Sequence, residues 1–325
     1  MAKAENKTQL VLVNVGFNKG YNFAVWANVF SPSTLLTPSI WHQRVEQAAK
    51  ELQSHSNSSL EESCGACNDC HVTFPRFGPD NNSSRRLVMF GVDMNMANLE
   101  LVRRIMNSFR AESNNTSLPQ ATTQPNIEGL SLELRHAAGS DHDGSMAVER
   151  CNPGKEMCAI PSHEHWNLTL DALKATRKTN KDGFTHVRLL TVDVLTKEVF
   201  AKIHSQQSPS RVHEIDVLMI DTEGNDPLVL KGGALTLSRQ LVRCLIFEYH
   251  LYGQWEFHTL EAIISQLDGY GYDCFFMGQA RLWPLSHGCW HAKYEFRRWS
   301  NVMCLRRGDV WLQALQSLVV KPPSE

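Results

Sequence analysis

Apolar residues along this chain follow two alternating rhythms. Short runs rich in Val, Ile and Leu recur, and between them apolar residues return every three or four positions. The first rhythm marks a strand buried on both faces, the second a helix with one buried face. The runs predict strands at residues 10–15, 87–92, 130–136, 187–192, 217–220 and 242–248. The helical rhythm predicts helices over 21–30, 41–53, 97–109, 196–205, 227–232 and 259–270; Val45, Ala48, Ala49 and Leu52 carry the second of these. A last pair of runs, 273–277 and 300–305, reads as an antiparallel hairpin at a sheet edge. Strands alternating with helices build an α/β fold with a mainly parallel, doubly wound sheet.

Two polar stretches interrupt the pattern, one at 55–85 and rich in Ser, Asn, Gly and Cys, the other at 111–126 and read as a flexible loop. There is no internal repeat. Loop insertions into a single domain spanning 1–325 account for the length better than a second domain does.

Composition adds little to this picture. Hydrophobic residues make up 42% and charged residues 20%, with a formal net charge of −2. Without a basic run there is no electrostatic reason to expect a nucleic-acid partner. No stretch approaches the roughly 18 apolar residues of a membrane span. Residues 1–9 lack the apolar core of a secretory signal, and the first strand begins so early that the sequence could be a fragment. The chain reads as cytoplasmic. Sequons at Asn57, Asn82, Asn115 and Asn167 matter only if it enters the secretory pathway. The nine cysteines are not spaced like a disulfide framework. Cys64, Cys67, Cys70 and His71 could supply four ligands to zinc, with Cys151 or Cys158 completing the set, but structural zinc sites normally use two separated pairs. A redox or disulfide role, or no role, remains open for the cluster.

Candidate chemistry lies at the strand ends. The run Val11 to Val15 enters a turn with Gly16 and Gly20 and then a helix, which lets backbone approach a ligand closely. The next strand ends at Asp93, where a carboxylate could accept hydrogen bonds from both hydroxyls of a ribose. That acid lies too far along for a dinucleotide fingerprint, so a nucleoside is the better fit. Another strand ends in Asp221, Glu223 and Gly224, placing two carboxylates at the carboxyl edge of the sheet, where open α/β sheets bind ligands. Asp226 and Pro227 suit the start of a short helix, and Glu248 and His250 end the strand after it. Trp283, Trp290 and Trp299 could line an acceptor pocket; for Trp299 and Val302, core packing and edge covering are the simpler reading.

In these segments the chain resembles the FkbM-type methyltransferase family. The resemblance rests on Val15-Gly-Phe-Asn-Lys-Gly20, Gly91-Val-Asp-Met-Asn95, Thr191-Val-Asp193, Met219-Ile-Asp-Thr-Glu-Gly-Asn-Asp-Pro-Leu-Val-Leu-Lys-Gly232 and Glu248-Tyr-His250. Ala137-Ala-Gly-Ser-Asp141 is similar to the family's small-residue turn after the third strand. The sequence departs from the family pattern at Asn14 (usually an acid), Met219 (usually Lys) and Asp226 (usually Glu). The resemblance implies a Rossmann-like class I methyltransferase fold, S-adenosylmethionine as cofactor, and methyl transfer to a hydroxyl of a small molecule, sugar or lipid. It implies that Asn14, Gly16, Asn18 and Gly20 meet the methionine part of the cofactor, Asp93 the ribose, and Ser140 and Asp141 the adenine.

Asp221 and Glu223 would face the methyl group and the acceptor. His250 best suits a general base because imidazole titrates near neutrality, although either carboxylate could serve, or the acids could hold Mg²⁺. Two other readings compete. One is a catalytically silent nucleoside-binding module of the same fold, favoured by Asn14 and Met219. The other is a nicotinamide-dependent oxidoreductase, for which the sequence lacks a G-x-G-x-x-G turn.

Overall fold

The computed structural model describes residues 9–31, 36–53, 86–114, 129–149, 151, 184–206 and 214–320. The strands are β1 (Gln9–Val15), β2 (Arg86–Asp93), β3 (Leu130–Gly139), β4 (Gly144–Glu149), β5 (Phe184–Leu190), β6 (Ile215–Ile220), β7 (Val242–Tyr249), β8 (Tyr272–Met277), β9 (Leu282–Pro284) and β10 (Ser300–Arg306). The helices are α1 (Tyr21–Phe30), α2 (Pro38–Gln53), α3 (Met96–Asn114), α4 (Val192–Gln206), α5 (Asp226–Lys231), α6 (Ala234–Ser238), α7 (Leu260–Gly269) and α8 (Val310–Leu315).

One ten-stranded sheet runs in the order β4-β5-β3-β2-β1-β6-β7-β10-β8-β9. The strands from β5 to β7 are mutually parallel, and the remaining pairings are antiparallel. The chain first builds outward from β1 through β2 and β3, then returns to place β6 on the other side of β1. The order therefore reverses between β1 and β6, which opens a crevice at the carboxyl end of those strands.

Side-chain alternation splits the core in two. Val11, Val13 and Val15 of β1 face one apolar cluster, with Val192, Leu195 and Val199 of α4 and Leu260, Ile264 and Leu267 of α7. Leu10 and Leu12 face the other, with Phe23 and Trp26 of α1, Trp41 of α2, Leu99 and Val102 of α3 and Trp311 of α8. A strand apolar on both faces needs cover on both, which is why the buried runs stand out so clearly in the sequence.

Several expectations need correcting. The run at 187–192 is a strand only to Leu190, because Thr191 turns the chain and its Oγ1 accepts from the Val194 amide, starting α4. The small-residue turn expected from Ala137 begins only at Ser140, since Ala137–Gly139 pair with β5. The stretches 273–277 and 300–305 are antiparallel partners but not an edge hairpin: β10 lies between β7 and β8, and β9 covers β8. Helix α3 runs through Asn114, so the expected loop at 111–126 starts late, and its remainder lies outside the described residues, as do the insertion at 55–85, Cys158 and the Cys64–His71 cluster.

Strand β4 and helix α6 were not foreseen. The first is an exposed edge strand with no apolar run, and the second is capped by the distant Asp193, whose carboxylate accepts from the amides of Leu235 and Thr236. Disulfides also occur, contrary to the reading of the spacing. Cys274 and Cys304 stand directly opposite on β8 and β10 and are bonded, and Cys151 is disulfide-bonded too, which leaves it no thiolate for zinc.

Candidate active site

The crevice between β1 and β6 is a cleft open to solvent, with about 680 Å³ of empty space when the solvent at its mouth is counted. It is lined by the Gly turn (Gly16, Asn18), the end of β2 (Val92 to Asn95), the end of β3 (Ala137 to Gly139), Met146 of β4, and Asp221, Thr222, Glu223 and Asn225 after β6.

Gly16 makes the crossing possible. Its φ is +90°, and a Cβ there would sit 1.6 Å from the Asp221 carbonyl oxygen. Asp221 in turn donates its amide to the Val15 carbonyl, so the acid-bearing loop is locked against the Gly turn. Asn18 and Glu223, both lining the cleft, hold positive φ angles of 49° and 52°. Non-glycine residues pay roughly 1–3 kcal/mol for sparsely populated backbone regions, and such strain gathers at functional sites.

The turn's amides are already used internally. Gly16 and Phe17 both donate to the Val92 carbonyl, Asn18 donates to Asp93 and Gly20 to the Phe17 carbonyl. Asp93 accepts from the amides of Asn18 (2.6 Å) and Asn95 (2.7 Å). Burial lifts its pKa to about 6 against the pull of those two amides.

Past β6, Asp226 is fully buried and ties the site together. One of its oxygens accepts from the Thr222 hydroxyl and the Gly224 amide, the other from the Glu248 amide. Burial lifts its pKa to about 7. Glu248 is pushed to about 9 by burial and then by the charges of Asp221 and Asp226. Its Oε1 accepts from the indole Nε1 of Trp299, and its Oε2 lies 3.6 Å from Nε2 of His250.

His250 is buried, and burial lowers its pKa. Its Nδ1 accepts from the Tyr252 amide, so the neutral ring carries its proton on Nε2 and presents a donor toward Glu248. Trp299 stacks on His250 at 4.6 Å and is 42% exposed, so it is a cover for this pair and not core; Val302 is fully buried, as expected of a core residue.

The expected residues are thus divided by the fold. Gly16, Asn18, Asp93, Asp221 and Glu223 share the cleft, whereas Glu248 and His250 lie outside its lining, Glu248 feeling the charge of Asp221 and His250 lying 3.6 Å from Glu248. Gly20 starts α1 behind the turn, in the left-handed conformation. Asn14 is fully buried, outside the cleft lining, with no hydrogen-bond partner for its amide among the described residues. Ser140 and Asp141 also lie outside the lining, and the Asp141 carboxylate is held by Lys231 and His142. Met219 is half-buried and packs against the apolar cluster that includes α1. Asn225, Asn95, Thr222 and Met146 were missed. For Asn225 the sequence shows only an N-cap position before Asp226-Pro227; that its side chain makes no cap hydrogen bond is visible only in the structure.

Among the described residues, the group that gathers three metal-ligand atoms within 4.8 Å is Asp268, Asp273 and His287, around β8 and apart from the cleft. Arg307 bridges the two aspartates of that group. The acids of the cleft do not converge in this way, so their geometry gives Mg²⁺ no support.

The site's strand-end acids and the Gly turn locked beneath them lie in and just ahead of a stretch that is similar to a known family. Residues 185–274 match the methyltransferase FkbM domain. The FkbM stretch runs from β5 into β8 and holds Asp221, Glu223, Asn225, Asp226, Glu248 and His250, while the Gly turn and Asp93 lie ahead of it. No curated protein and no solved structure matches the chain.

Proposed function

We propose that this protein is an S-adenosylmethionine-dependent O-methyltransferase with a Rossmann-like class I fold in a single domain. The observation that carries the reading is the charge of the cleft. Asp93, Asp221 and Glu223 line it, and no lysine, arginine or histidine is among the described lining residues. With the amides of Gly16, Phe17, Asn18 and Gly20 also spent on internal partners, the site is poorly suited to a pyrophosphate, which argues against a nicotinamide dinucleotide. A cationic nucleoside rich in hydrogen-bond donors suits it, and S-adenosylmethionine has a sulfonium, an ammonium and a ribose diol.

The Gly16–Asn18 turn and Asp93 would hold the cofactor. When bound, it supplies an activated methyl group. Glu223 and Asp221 then orient a hydroxylated acceptor, and such alignment makes the attack effectively unimolecular. Because His250 presents Nε2–H, it serves best as a donor that positions Glu248 or the acceptor oxygen. The acceptor's proton passes to a carboxylate oxygen of the Asp221, Glu223 and Glu248 group, a general-base contribution of about 10²–10⁴-fold.

Among the described residues no helix is long and apolar enough to cross a membrane. The disulfides fit an oxidising compartment better than the cytoplasm first expected.

Calorimetric titration with S-adenosylmethionine and S-adenosylhomocysteine, on wild type and Asp93→Ala, tests the cofactor. Binding with Kd on the order of micromolar, weakened at least tenfold by the substitution, is expected. Absence of heat from folded protein overturns the reading. The buried, unpartnered Asn14, in place of an acid, favours the silent binding module as second reading. Binding without S-adenosylhomocysteine release across a panel of hydroxylated acceptors would select it.

A further inference from the structure

The β3 side of the cleft has a chemistry of its own. Val92, Ala137, Ala138, Gly139 and Met146 give the lining an apolar portion there, and Asn225 is on the lining as well, its side chain reaching the Gly139 carbonyl of β3. Asn225 is 4% exposed. Its Nδ2 donates to the Gly139 carbonyl at 2.8 Å, which fixes which way the amide points. A flip would set Oδ1 against that carbonyl, two acceptors face to face. Although Asn225 occupies the N-cap position of α5, its side chain caps nothing. Its Oδ1 has no hydrogen-bond partner among the described residues. A buried acceptor left without a donor is costly, and its satisfaction by a ligand would recover that cost.

We propose that Asn225 is a specificity-determining residue that reads the exocyclic amine of a 6-aminopurine, its Oδ1 accepting a hydrogen bond from the adenine of the cofactor. The inference rests on the S-adenosylmethionine reading above. With Asp93 at the end of β2 taking the ribose, the base belongs over the next strand outward, β3. The lining there is apolar, as a planar heterocycle requires, and Asn225 supplies its fixed polar group. Ser140 and Asp141, which the family resemblance assigned to the adenine, lie outside the lining. A 6-oxopurine would turn a carbonyl toward Oδ1 and leave both acceptors unsatisfied. Sites that present such a fixed group reject the mismatched analogue strongly.

The test compares S-adenosylhomocysteine with S-inosylhomocysteine, in which a carbonyl replaces the amine, by calorimetry on wild type and Asn225→Ala. Wild type is expected to prefer the adenosyl ligand by about 10–100-fold. In Asn225→Ala the two affinities should converge to within about threefold. A merely structural role through Gly139 would lower both affinities together and leave the ratio unchanged, which overturns the inference. Equal binding of both ligands by wild type also overturns it, and needs no variant if Asn225→Ala fails to fold. If folded wild type binds neither ligand, the cofactor reading itself fails and takes this inference with it.

Discussion

Strands β6 and β7 carry acids at both ends, and the two ends treat them in opposite ways. At the start of β7, Arg243 is 1% exposed and meets Asp309 through two hydrogen bonds of 2.8 and 2.9 Å. It also reaches Asp216 of β6 at 3.2 Å and lies 4.6 Å over the Trp311 ring. Arg306 joins Asp309 to Glu214. Burial pushes Asp309 upward, but its hydrogen bonds and the charge of Arg243 outweigh this and hold it below the usual carboxylate range. At the other end, Asp221, Asp226 and Glu248 are gathered with no arginine or lysine on the cleft lining, and burial lifts Asp226 and Glu248 instead. Matched charge fastens the strands at one end. At the other, the described cleft lining carries acids and no lysine or arginine, which suits a cationic ligand.

The comparison breaks most visibly if the matched end is unmatched. Arg243→Met should destabilise the protein by about 3–5 kcal/mol in urea unfolding, because Asp309 and Asp216 would be left buried and short of a cation. A loss under about 1 kcal/mol would mean that the network is solvated and the contrast is false. Next, Glu248→Gln keeps the acceptor for Trp299 but removes the carboxyl group that can exchange a proton. Its stability at pH 8 should be unchanged or slightly higher, while methyl transfer should fall about 10²-fold or more. Stability loss as large as that of Arg243→Met would make Glu248 a structural acid.

The smallest effect is on pH dependence, and its sign differs between the ends. Asp93, Asp226 and Glu248, with pKa values of about 6, 7 and 9, hold protons more tightly folded than unfolded. Their contribution to stability is present below pH ~4 and is lost as pH rises through those values. Asp309, lowered, contributes above its unfolded value, and that contribution is lost on acidification. A cationic cofactor favours the ionised acids, so its affinity should rise between pH 6 and 9, on the order of tenfold, with protons released. Calorimetry in two buffers of different ionisation heat measures that release. A flat profile would place the acids out of reach of the cation.

Much of this was legible in the chain. The helix at 21–30 and the buried strands could be placed because a strand covered on both faces is written as an unbroken apolar run. Asp93, Asp221 and Glu223 could be picked out because they end such runs beside glycines. β4 and α6 were not legible, since one is an exposed edge and the other is capped from Asp193, about forty positions away.

The sequence by itself determined the period of each element, the strand-end acids and the turn at Gly16, all of which rest on neighbours within a few residues. Tertiary structure alone decided that the amides of Gly16, Phe17 and Asn18 are consumed by β2, that His250 holds its proton on Nε2, and that Asn225 keeps a free acceptor beside β3. Those outcomes depend on which distant carbonyl or amide fills each hydrogen-bonding site first, and pairing across a sheet leaves no trace in local residue order.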